Sequence, residues 1–355
     1  MNRLRTLLAP LSVLHLLTLG LVTSAAHAEP GSTWPSINPD AADRAAPIIA
    51  LVENYARQYR PTALMVVQNG RVVASSGDVA RKVNVRSVRK SLISALFGIA
   101  AAHGQVDITK TLEQLGIDDK APSLTAQEKQ ATVRDLLMSR SGVYHYAAYE
   151  TPEQKLARPE RGAHAPSTFW YYNTWDFNAL GAIYEQRTGE NPFKSFERLI
   201  ARPIGMEDFT ARDGIFIGNG SSHYRAYVFS LSARDLARFG LLFLNEGRWN
   251  GAEIIPSQWV TESTRAYSDT DRPDRGYGYL WWVLKPGPWE SAQSLRLAMG
   301  ANTLPSCQRS SSSWSSLSSW AITCVEFEPK TSSISLGKSR HCLASSSLRS
   351  FRRSR

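Results

Sequence analysis

The spacing of apolar residues changes along the chain and predicts the order of its first elements. An apolar spacing of three and four residues within 41–59 predicts an amphipathic helix. Two β-rich runs follow, 63–67 and 72–75, and Asn69-Gly70 lies between them. Because Asn-Gly strongly favours a two-residue hairpin turn, the sequence predicts a helix followed by a β-hairpin.

Four further segments have helical apolar spacing, and strand character returns after them. The predicted helices are 88–102, 133–138, 176–187 and 233–245, and the predicted later strands are 277–284 and 295–299. Strands near both ends with helices between them predict an α+β fold with one sheet whose strands come from distant parts of the chain.

The N-terminal segment has the features of a secretory signal. Arg3 and Arg5 precede an apolar stretch, and small residues follow it at Ala26 and Ala28. The sequence therefore predicts a signal peptide over 1–28, then a leader over 29–40, and a periplasmic or secreted protein. An N-terminal membrane anchor is the alternative, although no later apolar segment is long enough to span a membrane.

The net charge of +10 is unevenly distributed. Residues 306–355 contribute +6 and Arg3 with Arg5 contributes +2, which leaves only +2 for the rest of the chain. Without a basic stripe in the folded part, nucleic acid is not an expected partner. The three cysteines all follow residue 305, and the seven histidines have no metal-ligand spacing, so no metal or cofactor is predicted.

Composition changes at about residue 305, where the predicted domain of residues 41–304 gives way to a tail over 305–355. About a third of the tail residues are Ser, and no sustained periodicity is recognised there. We treat an altered reading frame as one hypothesis for this segment.

Ser87 and Lys90 form the first candidate site. Residues three apart at the start of a helix lie on the same face, so the amine can reach the hydroxyl. A Lys whose pKa is lowered can remove the proton of a nucleophilic Ser, and the helix N-terminus can stabilise the oxyanion. The same spacing recurs by chance at Ser335 and Lys338, and a capping Ser followed by a solvated Lys is the alternative interpretation.

Tyr171 and Asn173 form the second candidate, in a loop just before the predicted helix 176–187. A phenol near a cationic Lys can relay a proton, and an amide can orient a substrate carbonyl. In isolation Tyr171 is more simply interpreted as a core aromatic residue. Its interpretation as a catalytic residue therefore depends on its occurrence together with Ser87 and Lys90.

These spaced motifs resemble those of the β-lactamase-related serine hydrolase family. That family contains class C β-lactamases, D-alanyl-D-alanine carboxypeptidases, esterases and 6-aminohexanoate-dimer hydrolases. The motifs are Ser87-x-x-Lys90, the 135–142 segment and Tyr171-x-Asn173, and residues 229–249 are similar to the family's later helix and turn. The resemblance covers roughly 41–300. It implies a β-lactamase/transpeptidase-like fold, in which an antiparallel sheet flanked by helices is joined to a mainly helical region.

The resemblance also implies an acyl-enzyme mechanism without metal or cofactor. Ser87 attacks, Lys90 and Tyr171 share proton transfer, Asn173 positions groups, and water releases the acyl product. The expected substrate is a small ester or amide, with peptides and β-lactams included.

The family's third motif, Lys-Thr-Gly or a variant, has only Ala298-Met299-Gly300-Ala301 as its candidate. The resemblance then implies that the backbone N–H groups of Ser87 and Ala301 form the oxyanion hole. Ala298 lacks the cation that would hold a substrate carboxylate, which disfavours β-lactam and D-Ala-D-Ala substrates.

The two strands that the family places after this motif are not recognised in the Ser-rich tail, so the C-terminal strands are expected to be missing. Two alternatives to an active enzyme therefore stay open. One is a penicillin-binding-like protein that acylates slowly or not at all, and the other is an envelope-associated structural protein that retains the fold.

Overall fold

The computed structural model describes residues 29–285 and the backbone of residues 320–325. The predicted signal peptide, the predicted strand 295–299 and the candidate third motif lie outside these residues. In the two described ranges, no helix is both long enough and apolar enough to cross a membrane.

The observed elements agree with the predicted α+β order. The helices are α1 (Pro39–Tyr59), α2 (Val88–Ala102), α3 (Val133–Leu137), α4 (Pro152–Ala157), α5 (Thr174–Thr188), α6 (Pro192–Phe196), α7 (Ala233–Leu244) and α8 (Ser257–Ser263). The strands are β1 (Ala63–Gln68), β2 (Arg71–Gly77), β3 (Val83–Asn84), β4 (Gly214–Ile217), β5 (Ala226–Leu231), β6 (Arg248–Trp249), β7 (Ala252–Glu253), β8 (Ser268–Asp269), β9 (Arg275–Tyr277), β10 (Trp282–Leu284) and β11 (Trp320–Val325).

The apolar run of β1 is buried on both faces. Leu64 and Val66 pack in a cluster with α1, whereas Met65 and Val67 contact Ala237 of α7. Successive side chains of a strand point to opposite faces, so a continuous apolar run is what a strand between two helices requires. The predicted hairpin is confirmed, and Asn69 and Gly70 both have the positive φ of its turn (49° and 71°).

β11 supplies a C-terminal strand that the sequence analysis did not recognise. It pairs antiparallel with all six residues of β1, and the strand order of this sheet is β11-β1-β2. The strand falls inside the 305–355 segment, so part of that segment adds a strand to the sheet beside β1.

The predicted strand 277–284 is wrong in its centre. The structure divides it into β9 and β10, an antiparallel pair in which Tyr277 lies opposite Trp282. Leu280 has a left-handed φ of 65°, and its N–H donates to the Leu137 carbonyl (2.9 Å). A tight turn therefore replaces the middle of the strand and holds it against α3.

The main core surrounds α2. Leu92, Ile93, Leu96 and Phe97 have no exposed surface, and they belong to one cluster with residues of α5, α6, α8 and β5. Gly98 permits a close approach, because a Cβ at this position would lie 2.3 Å from the Trp259 ring of α8. This packing fixes the helix whose N-terminus carries Ser87.

Candidate active site

Ser87 lies where the chain turns sharply from β3 into α2. β3 pairs with β5, and the turn is closed by Arg86, which has a left-handed φ of 49° and whose N–H donates to the Asn84 side chain (2.8 Å). Ser87 is the residue directly before the first helical residue. Its N–H donates to no acceptor among the described residues, and this leaves it free to stabilise negative charge at the positive end of the helix.

Lys90 lies directly against the Ser87 hydroxyl. Its Nζ is 3.0 Å from Ser87 Oγ, and only 5% of the residue is exposed. Nζ also faces the rings of Tyr172 and Phe177, at 4.7 and 4.6 Å from their centroids. Burial, and secondly the charge of Arg89, hold the pKa of Lys90 well below its ordinary value. The structure thus brings together the predicted pair, with an amine suited to accept a proton.

Arg89 is a second buried cation beside this pair. Its guanidinium lies over the rings of Tyr227 and Tyr149, at 4.6 and 5.6 Å from their centroids. Its Nε and one terminal nitrogen are buried without an acceptor, and no carboxylate of the described chain pairs with it. Its positive charge is therefore largely uncompensated and opposes protonation of Lys90.

The tyrosine beside Lys90 is Tyr172, not the predicted Tyr171. Its ring centroid lies 4.7 Å from Lys90 Nζ, Tyr172 lines the cavity together with Ser87, and burial raises the pKa of Tyr172. The Tyr171 hydroxyl instead donates to the Gln154 carbonyl (2.7 Å), and burial raises the pKa of Tyr171 to about 12. Both tyrosines line the cavity, but the structure brings Tyr172, and not Tyr171, against Lys90.

The local backbone explains this exchange of neighbours. The N–H of Tyr171 donates to the Ser139 carbonyl (3.1 Å), and the N–H of Asn173 donates to the Ser139 hydroxyl (3.0 Å). Alternate residues of an extended segment point to opposite sides. These two bonds fix the backbone of the segment, so the side chains of 171 and 173 lie on one side and that of Tyr172 lies on the other, where its ring centroid is 4.7 Å from Lys90 Nζ.

Asn173 does not reach the cavity as a substrate-positioning group. Its side-chain oxygen accepts from the Trp175 N–H (3.2 Å) and caps α5. Its amide donates to the Val143 carbonyl (2.7 Å) and to Asp176 Oδ1 (2.9 Å), and the residue is only 2% exposed. In the structure Asn173 thus caps α5 and is not among the residues that line the cavity. Ala301, the other predicted oxyanion donor, lies outside the described residues.

A cavity of about 960 Å³ opens at Ser87. One wall is aromatic, and the Tyr172 and Trp282 rings stack there with 5.4 Å between centroids and 28° between planes. Trp170 packs edge-on against Trp282 (5.7 Å). The charged lining residues are Arg140, Glu153, Asp269, Asp271, Arg272 and Arg275. Such a site can hold an organic molecule with an apolar body and a few polar groups.

Sequence reasoning missed Tyr172, Arg89 and the aromatic wall around Trp282. In the sequence, Tyr172 is distinguished only as the second of two adjacent tyrosines. Arg89 is distinguished only as a charged residue in a helix that is predicted to have an apolar face. In the two described stretches, no group of three His, Cys, Asp or Glu side chains could hold a metal ion.

Known structures share this fold at low sequence identity. A putative 6-aminohexanoate-dimer hydrolase from Bacillus anthracis is 20% identical with a TM-score of 0.52, and the match covers 65% of this chain and 67% of that chain. SurE with D-Leu is 18% identical with a TM-score of 0.51, and the match covers 71% of this chain and 65% of that chain. EstCE1, a hydrolase with promiscuous acyltransferase activity, is 16% identical with a TM-score of 0.50, and the match covers 72% of this chain and 87% of that chain. A search of curated proteins finds no match.

The family comparison covers most of the chain. The model of the Beta-lactamase family matches residues 48–326, from α1 to the end of β11, and thus includes both the Ser87-Lys90 pair and the strand beyond residue 305. With the predicted fold present and the family model spanning well over half the sequence, this chain belongs to the beta-lactamase family.

Proposed function

We propose that this protein is a serine hydrolase that cleaves a small ester or amide through an acyl-enzyme on Ser87. The observation that carries the proposal is the buried Lys90 amine 3.0 Å from the Ser87 hydroxyl. A buried, neutral amine at hydrogen-bonding distance is the activating partner that a Ser nucleophile needs.

In the proposed acylation, neutral Lys90 takes the Ser87 proton as Oγ attacks the substrate carbonyl. The Ser87 N–H at the start of α2 stabilises the developing oxyanion. Tyr172 donates its phenolic proton to the leaving alkoxide or amine and is reprotonated by Lys90. Because the pKa of Tyr172 is raised, the phenol holds its proton at neutral pH and can act as the acid.

Deacylation reverses these proton movements. Water attacks the acyl carbonyl, its proton passes to the Lys90 and Tyr172 pair, and Ser87 leaves with a proton. The residues themselves thus supply a complete proton cycle. We further propose that the protein is exported to the periplasm or secreted, since residues 1–28 have the pattern of a signal peptide.

The test combines three reagents with the unaltered protein and Ser87→Ala. A fluorophosphonate probe reports a reactive serine, a p-nitrophenyl ester reports turnover, and a fluorescent penicillin reports β-lactam acylation. We expect probe labelling and ester turnover that both disappear in Ser87→Ala. Labelling without turnover would favour the penicillin-binding-like alternative, and the absence of both would favour a structural protein. Full activity in Ser87→Ala would refute the assignment of the nucleophile.

A further inference from the structure

Residues 29–37, which we call the strap, contact the domain at points far apart in the sequence. At one end the Glu29 carboxylate accepts from the Asn250 N–H (2.5 Å) and from the Asn245 side-chain amide (3.3 Å). At the other end the strap pairs with β2 at Val72. The strap therefore runs from the C-terminal end of α7 to the edge of the sheet.

Arg238 of α7 binds the first half of the strap through its backbone. One terminal nitrogen donates to the carbonyls of Gly31 (2.9 Å) and Ser32 (3.4 Å), and the other donates to the carbonyl of Pro30 (3.5 Å). The Arg238 guanidinium carbon is also 5.1 Å from the centroid of the Trp34 ring, and the residue has no exposed surface. A guanidinium that donates to consecutive carbonyls recognises the extended backbone itself.

The second half of the strap adds to the outer edge of β2. The Val72 N–H donates to the Pro35 carbonyl (2.8 Å), and the Ile37 N–H donates to the Val72 carbonyl (3.0 Å), in parallel pairing. The Arg71 side chain donates to the Ser36 carbonyl (3.2 Å). Addition of an extended segment to a sheet edge through main-chain hydrogen bonds is a common mode of peptide recognition.

The groove that holds the strap is unfavourable when empty. Without the strap, Arg238 keeps the Ile204 carbonyl (3.2 Å) and the Glu207 carboxylate (3.2 Å) but loses its three other carbonyl acceptors. Buried donors that lose their acceptors are costly. Pro30 and Pro35 restrict the strap to few backbone conformations before it docks, which reduces the entropy that docking costs. Both effects favour occupancy by an extended peptide.

We propose that this groove is a binding site for an extended peptide, that the strap is its ligand in cis, and that a peptide of the same sequence binds there in trans when the strap is displaced. The ligand is proline-containing, with a carboxylate side chain at its first residue and an indole at its sixth. Neither the strap nor Arg238 lines the Ser87 cavity, so the inference does not depend on the proposed hydrolase function.

The experiment separates the strap from its groove in a chain of unchanged length. In the substituted chain, alternating Gly and Ser replace residues 29–37, because such a sequence behaves as a flexible coil. An acetylated peptide of residues 29–37 with a fluorophore at its C-terminal end is titrated by anisotropy. We expect saturable binding to the substituted chain and at least about tenfold weaker binding to the unaltered chain, where the strap competes in cis. The peptide should also raise the melting temperature of the substituted chain alone.

Two backbone-methylated peptides and two protein variants provide matched controls. N-methylation at Ile37 removes the N–H that donates to Val72, whereas the Ser36 N–H has no acceptor among the described residues. The first peptide should bind about tenfold more weakly, and the second should bind nearly as well as the unmodified peptide. In the substituted chain, Arg238→Met should weaken binding by about tenfold or more. Arg234→Met, on the same helix but ion-paired away from the strap, should not.

Four results would overturn the proposal. The first two are equal binding to the unaltered and substituted chains, which would locate the peptide elsewhere, and equal affinities of the two methylated peptides. The third is a substituted chain that folds but does not bind the peptide. If the substituted chain folds only with the peptide present, as shown by cooperative urea unfolding, the site is supported. Failure to fold with saturating peptide is the fourth refuting result.

Discussion

Removing the Tyr172 hydroxyl tests the corrected site most directly. Tyr172→Phe deletes one oxygen while the ring keeps its contacts with Phe177 and Trp282. The substitution removes the proposed proton donor to the leaving group. General acid–base catalysis contributes about 10²- to 10⁴-fold, so we expect kcat to fall by that factor, which is a rise of about 3 to 5 kcal/mol in the activation free energy.

Tyr171→Phe is the matched variant one residue away. It removes only the hydrogen bond to the Gln154 carbonyl, at a half-buried position on the cavity wall. The loss should cost about 1 kcal/mol in the free energy of unfolding and leave kcat close to that of the unaltered protein. Both variants remove one phenolic oxygen, and they differ only in the residue that loses it.

The assay is p-nitrophenyl ester hydrolysis, with the Ser87→Ala rate subtracted, beside urea unfolding of each variant. Single-turnover measurements separate acylation from deacylation, and the stability data show whether a rate loss reflects misfolding. A larger loss in Tyr171→Phe than in Tyr172→Phe would refute the geometric argument and restore the prediction made from the Tyr-x-Asn spacing.

Two further predictions concern a charge and a strand. Arg89→Met removes a positive charge that lowers the pKa of Lys90, so the rise of kcat/KM with pH should move to higher pH. Arg89→Lys keeps the charge and should leave the pH profile nearly unchanged. An unmoved profile in Arg89→Met would contradict this electrostatic role. A chain ending at Ser319 loses β11 and should unfold at a lower urea concentration than the full chain. A chain ending at Glu328 keeps the strand and should have the same unfolding midpoint as the full chain. Equal midpoints for the two shortened chains would contradict the pairing of β11 with β1.

The sequence predicts the structure most accurately where the spacing of its apolar residues is regular. The helical spacing after Ser87 fixes the direction of Lys90, and the structure has the two side chains 3.0 Å apart. The predicted hairpin and the long helices are confirmed to within two or three residues. In each case the contact is local, so the chain's own repeat determines which side chains meet.

The choice between Tyr171 and Tyr172 depends on a distant contact. Residues 169–173 have no regular repeat, and the side that each ring faces is set by Ser139, more than thirty positions earlier. A three-residue spacing contains no information about that partner. For Asn173 a local signal did exist, because Asn directly before a helix is a preferred capping residue.

β11 was missed for a different reason. The run Trp320–Val325 is rich in β-branched and aromatic residues, which is typical of a strand. Its serine-rich surroundings dominated the interpretation of the whole segment. Average composition over fifty residues hides a six-residue strand, and the strand's partner, β1, is about 250 positions away.

The two cations at the start of α2 connect the stability of this fold with its chemistry. Burying two adjacent positive charges without a carboxylate would be costly, and the cost is smallest when one of them gives up its proton. A guanidinium generally holds its proton more strongly than an ammonium, and it is the pKa of Lys90 that is lowered. Since the pKa of Lys90 is lowered in the folded state, the unfolded chain binds more protons, and this site destabilises the fold less as pH rises towards 10.5. The same unfavourable burial lowers the pKa of Lys90 and so favours the neutral amine, which is the form able to activate Ser87.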